Sequence, residues 1–155
     1  MREILFRGKR KDNGEWVYGD IAHIENRVLI SYYHNCELKQ FINDEVTING
    51  TTLEGVFPFI EVVPETVGQA TEYESYFVGD IIKSEQDGMI GVIRFGEYQT
   101  TNSGDDECHL GFYIEWYGKY SDIIRRDLGW WVKAANKDIN IVGNIHDNPE
   151  LLEVK

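Results

Sequence analysis

Proline and cysteine are scarce in this sequence, and long apolar runs are missing. Cys36 and Cys108 are the only cysteines among 155 residues, too few for the disulfide framework that staples small secreted domains. Both are expected as buried thiols. No run approaches the ~18 apolar residues that span a bilayer, and the opening MREILFRGKR turns basic where the apolar stretch of a signal peptide would stand. The sequence therefore predicts a soluble protein of the cytoplasm, without membrane contact. Phosphate-binding patterns are missing too: neither Gly-x-Gly-x-x-Gly nor Gly-x-x-x-x-Gly-Lys-Ser/Thr occurs, and there is no His-Glu-x-x-His. No cofactor is expected.

Acid is what the chain has in excess. Twenty-seven Asp and Glu face 15 Lys and Arg, a formal net charge of -12. Such a surface is repelled by phosphate backbones, which makes nucleic acid an improbable partner. One segment runs the other way. Arg2, Arg7, Lys9, Arg10 and Lys11 stand against Glu3 in the first eleven residues, and they are the candidate phosphate contacts of an alternative, nucleic-acid-binding reading. With 42% hydrophobic and 13% aromatic residues, the composition is that of a globular chain long enough for one domain or two small lobes.

Short runs of β-branched and aromatic residues, broken by Gly, Asn and Asp, predict an all-β protein. The expected strands are Ile4–Arg7, Glu15–His23, Arg27–Tyr32, Gly55–Val62, Phe77–Lys83, Met89–Phe95, Leu110–Trp116, Trp130–Lys133 and Ile139–Gly143. Asp12-Asn13-Gly14, Asn49-Gly50 and Asp87-Gly88 supply glycine where a hairpin turn needs positive φ. The second of these joins Val46-Thr-Ile to Thr51-Thr-Leu as a hairpin. Polar Thr100–Glu107 reads as an exposed loop, Ser121–Arg126 as a short helical turn, and Asn148-Pro149 as the cap and first position of a last turn. Gly19-Asp20-Ile21 and Gly79-Asp80-Ile81 share a pattern at an offset of 79 − 19 = 60, which suggests a duplicated β unit. Each Gly-Asp step suits a tight turn. The β pattern breaks near Pro64–Ser75, dividing a β-rich part at 1–68 from a second part at 69–155.

Phe6-Arg7-Gly8-Lys9-Arg10 followed by Gly14-Glu15-Trp16-Val17-Tyr18-Gly19-Asp20 resembles the start of the YopX family of phage and prophage proteins. Val63-Pro64-Glu65-Thr66-Val67-Gly68-Gln69 resembles that family's central loop, Gly79-Asp80-Ile81-Ile82-Lys83 its following strand, and Val142 through Leu152 its ending. Ala70–Tyr76, acidic and aromatic, departs from the pattern. The resemblance implies a phage or prophage origin and a small SH3-like barrel in the C-terminal half, with no established activity. Five strands within Phe77–Gly143 are expected to close that barrel, with Ile81, Ile93, Ile114 and Ile141 facing inward.

Chemistry-bearing clusters are weak. His34 with Cys36, and Cys108 with His109, lack the paired spacing of zinc ligands and an orienting acid for a nucleophile. In an extended strand Cys108 and His109 point to opposite faces. No catalytic or metal residues are assigned. Aromatic residues are in surplus, and Trp116, Trp130, Trp131, Tyr73 and Tyr76 are the candidate interaction surface, because large rings lose little rotamer freedom on burial. Together these features predict a non-enzymatic interaction protein that self-associates as a homo-oligomer and acts on a host or phage protein.

Overall fold

The computed structural model describes residues 4–31, 46–48, 51–53, 59–73, 75–99, 108–118, 126–134 and 139–153, with 46–48, 51–53 and 134 described by their backbone alone. Antiparallel β-structure dominates them, in two compact units, Met1–Gln69 and Ala70–Lys155. The all-β class follows directly from the β-branched and aromatic runs.

The first unit holds β1 (Phe6–Lys9), β2 (Trp16–Ile24), β3 (Arg27–Ser31), β4 (Val46–Ile48), β5 (Thr51–Leu53), β6 (Phe59–Val62) and β7 (Gly68–Gln69). β4 and β5 pair as the expected hairpin, Val46 opposite Leu53. The other five form one sheet in the order β6-β3-β2-β1-β7. Gly14, at φ 75°, closes the turn between β1 and β2, its N–H donating to the Arg10 carbonyl at 3.0 Å.

This sheet returns on itself. Arg10, just past β1, bridges to Val62 of β6, with Lys11 N–H donating to the Glu61 carbonyl at 3.0 Å and Val63 N–H to the Lys9 carbonyl at 2.8 Å. After a 3-10 turn at Pro64–Thr66 the chain rejoins β1, placing Gly68 opposite Arg7 and Gln69 opposite Phe6. The interruption leaves Lys9 N–H without a strand carbonyl to meet, and the Thr66 hydroxyl takes it: Oγ1 accepts from Lys9 N–H at 2.8 Å and donates to the Val63 carbonyl at 2.7 Å. The ring encloses Val17, Ile30 and Val62, with Phe6, Val28, Ile60 and Val67 packed around them. A Cβ on Gly8 would lie 3.0 Å from Val62 Cβ, so only glycine lets β1 approach this core without displacing a neighbour.

The second unit is a sheet of β8 (Asp80–Ser84), β9 (Ile90–Gln99), β10 (Cys108–Tyr117) and β11 (Ile139–Asn144) in the order β10-β9-β8-β11. Its core gathers Ile82, Ile93, Ile114, Trp116, Leu128, Trp131 and Ile139. Trp116 lies directly opposite Gly91, whose missing side chain leaves room for the indole: a Cβ there would fall 2.8 Å from it.

Three expectations are corrected here. Trp130–Lys133 is not a strand. Residues Trp130–Ala134 form a π-helical turn, started where Asp127 Oδ1 accepts from Trp130 N–H at 2.8 Å. With that fifth strand lost, four strands pair in this unit among the described residues, and the five-stranded SH3-like closure is not observed. Ile81, Ile93 and Ile114 are buried as expected, but Ile141 is 43% exposed. A bulge between Ile141 and Gly143 breaks the inward-outward alternation of β11, and Ile139 enters the core instead.

The two Gly-Asp steps also differ, contrary to a duplicated unit. Gly19 sits inside β2, its Cα against the Ser31 carbonyl, and Asp20 is exposed. Gly79 precedes β8 at φ 92°, and Asp80 is buried with its Oδ2 accepting from Phe77 N–H at 2.8 Å. Near the C-terminus the 3-10 turn Pro149–Leu152 forms where Pro was expected to start one, but the Asn148 side chain does not cap it; its Oδ1 accepts from Asn144 N–H at 3.4 Å. The expected turn at Ser121–Arg126 and loop at Thr100–Glu107 lie outside the described residues, Arg126 excepted.

Thr66 tests the closure of the first unit. Thr66→Val keeps the shape but strands the Lys9 N–H, and is expected to destabilise the protein by about 1–3 kcal/mol in urea unfolding, whereas Thr66→Ser keeps the hydroxyl and most of the stability.

Candidate functional site

The β9–β10 hairpin is longer than the sheet that supports it. The two strands pair over all ten residues, from Ile90 opposite Tyr117 to Gln99 opposite Cys108. β8 covers only Ile90–Val92 of β9. From Arg94 outward the hairpin is a two-stranded ribbon, touched on its outer edge by the Tyr113–Asp127 bridge and by Ile114 N–H donating to the Arg126 carbonyl at 2.7 Å. A two-stranded ribbon is marginal in water unless its side chains hold it.

Here aromatic pairs do so on both faces. One face carries Phe95 opposite Phe112, their rings edge to face at 5.1 Å, then Glu97 opposite Leu110. The other carries Tyr98 stacked on Tyr113 at 5.3 Å and on His109 at 5.4 Å. Gly96 and Gly111 face each other between these pairs, and the Tyr98 and Tyr113 rings lie over them at 4.0 and 3.8 Å from where a Cβ would stand. Toward the core, Arg94 Nε donates to Glu115 Oε2 at 3.0 Å and Tyr117 donates its hydroxyl proton to the same oxygen at 3.1 Å. That charged contact holds Arg94 in its ionised form beyond its usual range despite burial. Glu97, Tyr98, Gln99, Cys108 and Arg126 line an open hollow at the ribbon's far end.

Two large apolar side chains on the first face stay in solvent: Phe95 is 54% and Leu110 73% exposed. Neither is among the aromatic residues that the sequence singles out. The signal was present in the alternation Phe95-x-Glu97 and Leu110-x-Phe112, but where the supporting strands stop is a property of the whole sheet.

The expected aromatic surface is placed differently. Trp116 and Trp131 are 3% and 4% exposed, with their rings 4.8 Å apart, and Trp130 packs on Trp131 at 5.2 Å. Tyr73, Tyr76 and Trp130 are partly buried against the same core. As a surface this set is corrected: the indoles fill the second unit because the π-helical turn places both Trp130 and Trp131 on the core, where an extended strand would have turned one outward. Tyr76 donates its hydroxyl proton to the Ile139 carbonyl at 3.3 Å, and Lys133 Nζ sits 5.0 Å from the centre of the Tyr73 ring.

The basic N-terminal residues, candidate phosphate contacts of the alternative reading, are engaged within the first unit where they are described. Arg7 is buried with its guanidinium over Trp16 at 4.8 Å, and Lys9 Nζ lies 5.5 Å from the same ring. Arg10 forks onto Asp12, with Nε and Nη2 donating at 2.8 and 2.6 Å. Lys11 Nζ binds Glu61 at 2.7 Å, and Arg27 binds the other oxygen of Glu61. Hydrogen bonds from Arg10 and from Lys11 hold the Asp12 and Glu61 carboxyls below their ordinary range. Arg10 and Lys11 are thus paired with acids of the same unit, and Arg7 and Lys9 lie over the Trp16 ring; Arg2 lies outside the described residues.

Cys108 is exposed, correcting the expectation of a buried thiol, and Cys36 and His34 lie outside the described residues. Cys108 and His109 occupy opposite faces of β10. Among the described residues no group of three or more His, Cys, Asp or Glu gathers as metal ligands, and no helix is long and apolar enough to cross a membrane. Comparison with family models, with curated proteins and with solved structures finds no match.

Tyr73 yields a pH test. Burial, reinforced by the neighbouring Glu72 carboxylate, pushes its phenol from 10.0 up to about 12, and burial raises Tyr76 as well. A raised acid favours its neutral form, so this contribution to stability is complete below pH ~10 and is lost as pH climbs through about 12. Absorbance titration is expected to show tyrosines ionising late in the folded protein, and Tyr73→Phe to remove one of them.

Proposed function

We propose that this chain is a non-enzymatic interaction protein of phage or prophage type, working in the host cytoplasm and self-associating. The origin rests on the resemblance of its four ordered sequence blocks to YopX proteins, and the compartment on the scarcity of cysteine and of long apolar runs. The interaction reading is carried by one observation: large apolar side chains left exposed in the second unit are grouped in pairs, Phe95 with Leu110 on the ribbon and Ile141 with Val142 on β11. Scattered exposed hydrophobics need no explanation, whereas grouped ones mark contact surfaces.

The β11 pair supports self-association. β11 is an outer strand of its sheet, at the end opposite β10, and such a strand offers backbone groups to a second copy. Ile141 and Val142 are half exposed on that strand, and would be covered when two copies pair edge to edge. Light scattering at micromolar concentration is expected to give a mass above the monomer, and Ile141→Lys with Val142→Lys to give the monomer without loss of fold. A wild-type monomer would falsify self-association.

A further inference from the structure

The ribbon face of Phe95, Leu110 and Phe112 has a different character from β11. Between Phe95 and Tyr113 the chain contains four acids, Glu97, Asp105, Asp106 and Glu107, and no Lys or Arg. Glu97 stands directly opposite Leu110 on the apolar face itself. The nearest cation on the ribbon, Arg94, belongs to the other face and is held by Glu115.

Arg126, from a neighbouring segment, lines the hollow at the ribbon's far end; the apolar patch itself carries an exposed carboxylate, Glu97, and no cation from the ribbon, and is thus complementary to an apolar side chain flanked by cations. A second copy of this chain is a poor occupant of this face, because two such ribbons would bring their Glu97 carboxylates together. A nucleic acid is poorer still for the same reason. Resting on the interaction reading above, we propose that the β9–β10 ribbon binds a basic protein segment, an apolar residue of which seats on Phe95, Leu110 and Phe112 while an adjacent Lys or Arg pairs with Glu97.

The ribbon is suited to this. Its faces are held by Phe95 on Phe112 and by Tyr98 on Tyr113, so the anchoring rings are ordered before a partner arrives and less freedom is lost on contact. The edge-to-face rings leave Phe95 54% exposed, and the side chain opposite Glu97, Leu110, is the more exposed of the two at 73%.

Synthetic peptides distinguish this from non-specific attraction to an acidic protein. A peptide alternating Leu and Lys is expected to bind the full chain, to shift the amide resonances of residues 95–98 and 110–112, and to weaken as salt is raised. A Lys/Ser peptide of equal charge is expected to bind at least about tenfold more weakly, and a Leu/Glu peptide to show no binding. Phe95→Ser with Leu110→Ser leaves the charge unchanged and is expected to lower affinity for the Leu/Lys peptide by about tenfold or more. Glu97→Lys, at an exposed position, is expected to lower it too and to flatten the salt dependence. Equal binding of the Leu/Lys and Lys/Ser peptides, or binding unaltered in both variants, overturns the ribbon proposal. Neither result touches self-association, which light scattering and the Ile141 and Val142 substitutions decide separately. A wild-type monomer that still binds the Leu/Lys peptide removes self-association and leaves the ribbon proposal standing.

Discussion

A β-strand offers backbone donors and acceptors along both edges, and each edge needs a neighbour, a covering chain or water. The two units meet that demand in opposite ways. In the first, one continuous segment from Phe59 to Gln69 serves as β6, a 3-10 turn and β7, so that β1 has a neighbour on each side. In the second, β11 remains an outer strand and the far half of β9–β10 runs past its support. The surfaces assigned to partners all arise from those unmet edges and uncovered faces.

Closure of the first unit depends on a few polar contacts at its seam. Thr66 supplies an acceptor that the interrupted ladder cannot, and Glu61 gathers Lys11 from beyond β1 and Arg27 from β3 on its two carboxylate oxygens. These ion pairs are exposed, and isolated surface pairs contribute little. Their importance is positional: they pair Lys11 and Arg27 with the acid of β6 where the chain closes the sheet, so that this part of the basic segment becomes a seam.

Strands and turns were largely legible in the sequence because both are local: β-branched runs mark β2, β3, β8 and β9, and Gly14 and Gly88 take the positive φ that their turns require. The sequence misleads where residues outside a run decide its conformation. Trp130-Trp131 has strand-forming composition, yet Asp127 three residues earlier and the core around Leu128 hold it as a helical turn. Ile141 fits perfect alternation, which the bulge beside it interrupts. Aromatic surplus is legible in composition, but composition does not say which rings are interior. Trp116 goes inward because Gly91 lies across from it, and Phe95 outward because β8 ends too soon.

The clustering of indoles has an optical consequence. Of the four tryptophans, Trp116, Trp130 and Trp131 lie within 5.2 Å of one another in sequence of contact, all in the second unit, while Trp16 stands in the first beside two cations. Indoles so close couple their electronic transitions, so the second unit is expected to carry an indole–indole exciton signature in circular dichroism, for which the first unit, with Trp16 as its single tryptophan, lacks a second indole. The melting of the second unit can therefore be followed by that signature, within the intact chain and with no label attached.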